Sequence, residues 1–124
     1  MAGSIFAVAI SIYGATLLRG VASFDTAEMQ TVPAVLGIAH PTGYPLWTLV
    51  GFVWTKLMFF ATPALAMNVL SATFFASSAS VLGLISLRLG VRPALAVAGG
   101  LIFAFAGETW ARATAAEAVR LPRL

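Results

Sequence analysis

Long runs without a charge constrain this chain more than any other feature. No Asp, Glu, Lys or Arg falls between Ile5 and Leu18, between Lys56 and Arg88, or between Arg92 and Glu108. Each run approaches or exceeds the roughly 17–25 apolar residues that carry a helix across the hydrocarbon core of a bilayer. Lipid offers no partner to an open backbone N–H or C=O, so helices are the expected solution. Composition agrees, since 60% of the 124 residues are hydrophobic and 9% are charged, against about a quarter charged in soluble domains. The expected fold is an all-α, polytopic membrane bundle of three to four apolar segments. It forms a single membrane domain over residues 1–124, with a short external loop after the first span.

The first span is expected from about Ser4 to Leu18. It reads as retained, because the N-terminus lacks the basic region and cleavage pattern of a removable signal. A wetter stretch, Ser23 to Pro45, follows. Within it Thr26 to Ala39 suits a short surface helix that Pro33 would break or kink. Further apolar blocks run from Leu46 to Thr62, from about Ala64 to Leu87, and from about Pro93 to Ala111.

The block Leu46–Thr62 decides the topology. If it spans, Arg88 and Arg92 fall on the side of Asp25. If it lies in the interface, they fall on the opposite side and Glu117 returns to the Asp25 side. Lys56 in mid-span would cost roughly 2.5–3.5 kcal/mol on insertion scales, which favours the interfacial arrangement even though snorkelling relieves part of it. The positive-inside rule places Arg88 and Arg92 in the cytoplasm, while the remaining basic residues do not agree cleanly.

Ala72, Ala76 and Ser80 lie four apart, as do Gly100 and Ala104, so helices can approach closely along those faces. Asn68, Ser71, Ser77 and Ser78 can bond across helices. The absence of cysteine excludes disulfides and thiolate chemistry. A net charge of +3, spread thinly over helix ends, gives no basis for nucleic-acid binding.

Two of the chain's four acidic residues and its only histidine gather in the wet stretch. Asp25 and Glu28, three apart, share one face of a helix and could supply a general base and a group that orients a substrate. The same spacing suits a capping box with Asp25 as N-cap. His40 stands alone, so a His-based metal site is unsupported. It reads either as an imidazole bonded to backbone or as a group that binds or protonates a phosphate. Pro41, Gly43 and Pro45 make a stiff turn that would hold it. Glu108 and Arg112, four apart, read as a simple pair.

The order of the motifs adds more. Asp25-Thr26-Ala27-Glu28 is followed by Leu36-Gly37-Ile38-Ala39-His40-Pro41-Thr42-Gly43-Tyr44-Pro45-Leu46. Asn68-Val69-Leu70-Ser71-Ala72 comes next, then Trp110 with Ala116-Glu117. This series resembles the protein O-mannosyltransferase-like membrane family known as domain of unknown function 2723, over nearly the whole chain. The resemblance implies the N-terminal portion of a GT-C-like glycosyltransferase, an enzyme that takes a sugar, with mannose the candidate, from a polyprenyl-phosphate donor and passes it to an acceptor hydroxyl on the non-cytosolic face. It implies Asp25 as base on the acceptor, Glu28 as its assistant, and His40 near the donor phosphate, with Glu117 approaching the same face under the interfacial topology.

The implied partners are the bilayer, the lipid-linked sugar and an unidentified acceptor; no cofactor is implied beyond that donor. The implied location is the membrane, as an integral multi-pass protein, which in a bacterium would be the inner membrane. Two departures from the family pattern stand out: Ala66-Met67 where an Arg is expected, and the run Ala118 to Leu124, which suggests truncation or a shifted reading frame. The competing reading is a small non-enzymatic multi-span protein that packs with a partner, its acids merely capping a helix. A transporter fragment, with Lys56 as its one mid-membrane charge, ranks last.

Overall fold

A computed structural model describes residues 1–41 and 43–116 of the protein. Six α-helices make up most of it: α1 Ala2–Thr16, α2 Asp25–Thr31, α3 Pro45–Leu57, α4 Pro63–Arg88, α5 Pro93–Phe105 and α6 Gly107–Thr114. A 3-10 turn, Val32–Val35, joins directly to α2. Proline opens α3, α4 and α5, where a fixed φ favours the first helical turn and a missing N–H removes nothing. Pro33 ends α2, as the sequence suggests, because it has no N–H to donate to Met29 O, and a 3-10 turn follows.

α4 is the axis of the bundle and touches α1, α2, α3, α5 and α6. Its 26 residues extend about 39 Å at 1.5 Å per residue. It is the one helix among the described residues long and apolar enough to cross a membrane by itself. α5 and α6 pass the same test together but bend by 62° at their junction, where a single span to Ala111 was expected. The 15-residue α1 is apolar but shorter, at about 22 Å.

The small residues face where the spacing suggests. Ala72, Ala76 and Ser80 of α4 and Gly100 and Ala104 of α5 are buried. A Cβ on Gly100 would come within 2.9 Å of Ala79 O, so α4 and α5 meet almost backbone to backbone. The serines divide. Ser71 donates across to Arg112 O at 2.7 Å, whereas Ser77 and Ser78 bond back to Thr73 O and Phe74 O of their own helix.

Contacts along α4 fix which residues share an end of the bundle. Ile5 of α1 packs at Gly83 and Gly100, and Leu18 O accepts from Asn68 Nδ2. α1 therefore runs antiparallel to α4, and Arg88 lies at the end where α1 begins. Ala116 N donates to Asn68 Oδ1, which brings the chain back to the α2 end after α5 and α6. α3 packs against the 3-10 turn and the N-terminal half of α4. Trp47 meets Phe74, a Cβ on Gly51 would meet Met67, and Trp54 Nε1 donates to Ala66 O.

Ala66 and Met67, where an Arg is expected, are fully buried against α3.

Candidate active site

The wet stretch folds into a compact cradle at the α2 end of the bundle. α2 has Phe24 at its N-cap, so Asp25 is the first helical residue and the capping box does not form. Glu28 is thereby released from the helix terminus and reaches the turn instead. Its Oε1 accepts the backbone N–H of His40 at 2.8 Å, and its Oε2 lies 2.6 Å from His40 Nδ1. An ionised carboxylate can only accept, so Nδ1 carries the proton in this contact. The ring atom left outside the Glu28 grip is Nε2.

The two side chains are 30% and 37% exposed for Glu28 and His40, open enough to meet a ligand. The hydrogen bond from His40 holds the Glu28 carboxyl below its usual range. The same bond pushes the imidazole up, opposed by burial and aided by the charges of Glu28 and then Asp25. Asp25, exposed at the start of α2, thus adds its field to the same imidazole.

The turn after His40 behaves as its composition suggests. Gly43 N donates to His40 O at 2.8 Å, Gly43 takes a φ of 80°, and Pro45 opens α3. The Tyr44 ring meets the imidazole edge-on with centroids 5.6 Å apart. Thr42 and Glu117 fall outside the described residues, so the expected approach of Glu117 has no structural counterpart here.

A further signal was not visible in residue types. Three non-glycine residues hold positive φ among the described residues: Phe24 at 55°, Leu36 at 52° and Tyr44 at 43°. All three lie in the segment that carries Asp25, Glu28 and His40. Such conformations cost of order 1–3 kcal/mol each and cluster where a fold serves a site. Sequence reasoning also missed Gln30, a fully buried amide on the inner face of α2.

Among the described residues no three His, Asp or Glu side chains gather as a metal ion would need. Two open apolar grooves of about 360 and 230 Å³ run along α3, lined in part by Trp47, Val50 and Trp54. The Glu108–Arg112 pair forms at 3.3 Å on the exposed face of α6.

Residues 25–121 match the family described as protein O-mannosyl-transferase TMEM260 N-terminal domain. The chain belongs to this family. The protein O-mannosyl-transferase TMEM260 of Mus musculus is 34% identical over 121 residues, which cover 98% of this chain and 17% of that relative. The tmem260 protein O-mannosyl-transferase of Dictyostelium discoideum is 36% identical over 47 residues, 38% of this chain and 6% of that relative. The chain thus spans less than a fifth of the length of either relative. No solved structure matches it. Asp25, Glu28 and His40 all fall within the region matched to the TMEM260 N-terminal domain.

Proposed function

We propose that this chain is the N-terminal part of a GT-C-like glycosyltransferase and supplies its acid–imidazole site. The proposed sugar is mannose, following the name of the relatives, and the proposed donor is a polyprenyl-phosphate-linked sugar. In this reading the Asp25 carboxylate takes the proton of the acceptor hydroxyl as its oxygen bonds to the anomeric carbon. The bond from that carbon to the donor phosphate breaks, and its electron pair leaves on the phosphate oxygen. His40, charged and presenting Nε2–H, stabilises the developing phosphate charge.

The observation that carries the reading is the Glu28–His40 contact. Both carboxylate oxygens of Glu28 contact His40, which supports reading Glu28 as the holder of His40 and Asp25 as the base. The contact also favours the charged imidazole that a phosphate leaving group needs.

The proposed topology has α1, α4 and the bent α5–α6 pair crossing the bilayer, with α3 at the interface beside the N-terminal half of α4. Arg88 and Arg92 then lie on the cytosolic side and Asp25 on the other, in line with the positive-inside rule. The apolar grooves of α3 are the proposed seat of the prenyl chain. The test is Asp25→Asn in a full-length enzyme: transfer is lost while membrane insertion is unchanged. Retained turnover in an inserted Asp25→Asn enzyme removes the base role.

A further inference from the structure

Behind the acidic face of α2 lies a buried amide network. Gln30 and Asn68 are both 0% exposed. Gln30 Nε2 donates to Asn68 Oδ1 at 2.9 Å, and Gln30 Oε1 accepts from Ala22 N at 2.9 Å. Asn68 Oδ1 also accepts from Ala116 N at 2.9 Å, and its Nδ2 donates to Leu18 O at 2.7 Å. Two side chains thus tie together the exit of α1, the strand of chain before α2, α2 itself, α4 and the exit of α6. A buried network in which the amides are satisfied specifies one arrangement, because any other leaves polar groups unpaired in a low dielectric.

We propose that Gln30 and Asn68 form a clamp that sets the rotation of α2, and so are positioning residues for the Glu28–His40 contact. α2 has only seven residues, too few to hold a register by itself. Gln30 lies two residues after Glu28, roughly 200° around the helix. Pinning Gln30 inward on α4 therefore turns Glu28 outward towards the His40 turn, with Asp25 on the same outer face. The axial position is fixed separately, since Trp47 Nε1 donates to Met29 O at 3.1 Å at the end of α2. The clamp needs both amides: an apolar residue at either position releases the rotation while the apolar packing around it persists.

The relevance of the clamp to transfer rests on the function proposed above, but its test does not require turnover. His40 is the only histidine in the chain, so its titration can be read directly by NMR of labelled imidazole in the intact chain in lipid nanodiscs. Glu28 and Asp25 of α2 and the adjoining Tyr44 are the titratable groups that bear on it among the described residues. The volume-matched variants Gln30→Met and Asn68→Leu are each expected to bring the His40 midpoint down to that of Glu28→Gln. The double variant should go no lower than either single one.

Ser71→Ala is the control. It removes another interhelical hydrogen bond from α4 without touching α2, so it should lower the melting temperature and leave the His40 midpoint where it is. The clamp is overturned if folded Gln30→Met or Asn68→Leu melts early but keeps the wild-type midpoint, as Ser71→Ala does. An additive fall in the double variant overturns it equally. Because each amide is changed separately, one variant that folds is sufficient to decide.

Discussion

A single carboxylate of Glu28 grips His40 twice, with Oε1 on the backbone N–H at 2.8 Å and Oε2 at 2.6 Å from Nδ1. The backbone contact fixes where the turn sits, and the ring contact fixes how the imidazole points. Both come from a residue whose spacing to Asp25 suits a helix cap equally well. The difference rests on one residue of register. With Phe24 rather than Asp25 at the N-cap, Glu28 falls beyond the position from which it would cap.

The grip should make stability depend on pH in a defined way. The Glu28 carboxyl is lowered and the His40 imidazole is raised by their mutual bond. The His40 contribution is full below the ordinary imidazole value and is lost as pH rises through the raised one. The Glu28 contribution is full above the ordinary carboxylate value and is lost as pH falls through the lowered one. Melting of the wild-type chain should therefore exceed that of Glu28→Gln most between those two ordinary values. The difference should shrink on both sides. A difference that is flat across pH would show that the pair does not form.

Asp25 should be expendable for folding and not for transfer. It is exposed, makes no cap hydrogen bond and sits at the first position of α2. Loss of a general base typically lowers rate by about 10²–10⁴-fold. Asp25→Asn in a full-length enzyme should fall by that factor in kcat, while Glu28→Gln should lower kcat and also move the upper limb of the pH–rate profile to lower pH. An unchanged limb in Glu28→Gln would remove His40 from the reaction.

The sequence made some of this legible and hid the rest for physical reasons. The charge-free runs mark α1, α4 and α5, because apolar composition is a local property. The stiff turn around His40 was legible for the same reason. The bend between α5 and α6 was not, since no proline marks Ala106 and its stabilising partner, Tyr13, lies 91 residues away from Ala104. The Gln30–Asn68 bond spans 38 residues, and no spacing rule joins two amides at that separation. The partner of Glu28 was hidden too, because two local rules compete for the same carboxylate.

Gly51 should tolerate no side chain. A Cβ there would lie 2.7 Å from both Met67 Cε and Pro33 Cβ, which wedge α3 between the 3-10 turn and α4. The Met67 side chain can yield, but the Pro33 ring cannot. Gly51→Ala should therefore lose about 1–3 kcal/mol to overpacking, and Gly51→Val more. Gly99→Ala, whose Cβ meets nothing within 4 Å, is the matched control and should be neutral or stabilising by up to about 1 kcal/mol through helix propensity. Denaturant unfolding of the three variants in one detergent would check this. Equal stability for Gly51→Ala and Gly99→Ala would mean that α3 does not pack as closely as the contact with Pro33 requires.

Tyr13 should hold the bend between α5 and α6. Its hydroxyl is buried and donates to Ala104 O at 2.6 Å, one of the carbonyls left open where α5 ends at Phe105. The ring packs edge-on against Phe105, which in turn meets Trp110 of α6. Trp110 Nε1 closes the circuit by donating to Thr16 at the end of α1. Tyr13→Phe keeps the ring contacts and removes only the donor, leaving a buried carbonyl unpaired at a cost of about 1–3 kcal/mol. Thr16→Val removes the acceptor of an exposed bond and should cost less. If the two variants melt together, the bend is held by ring packing, and the hydroxyl of Tyr13 contributes little to it.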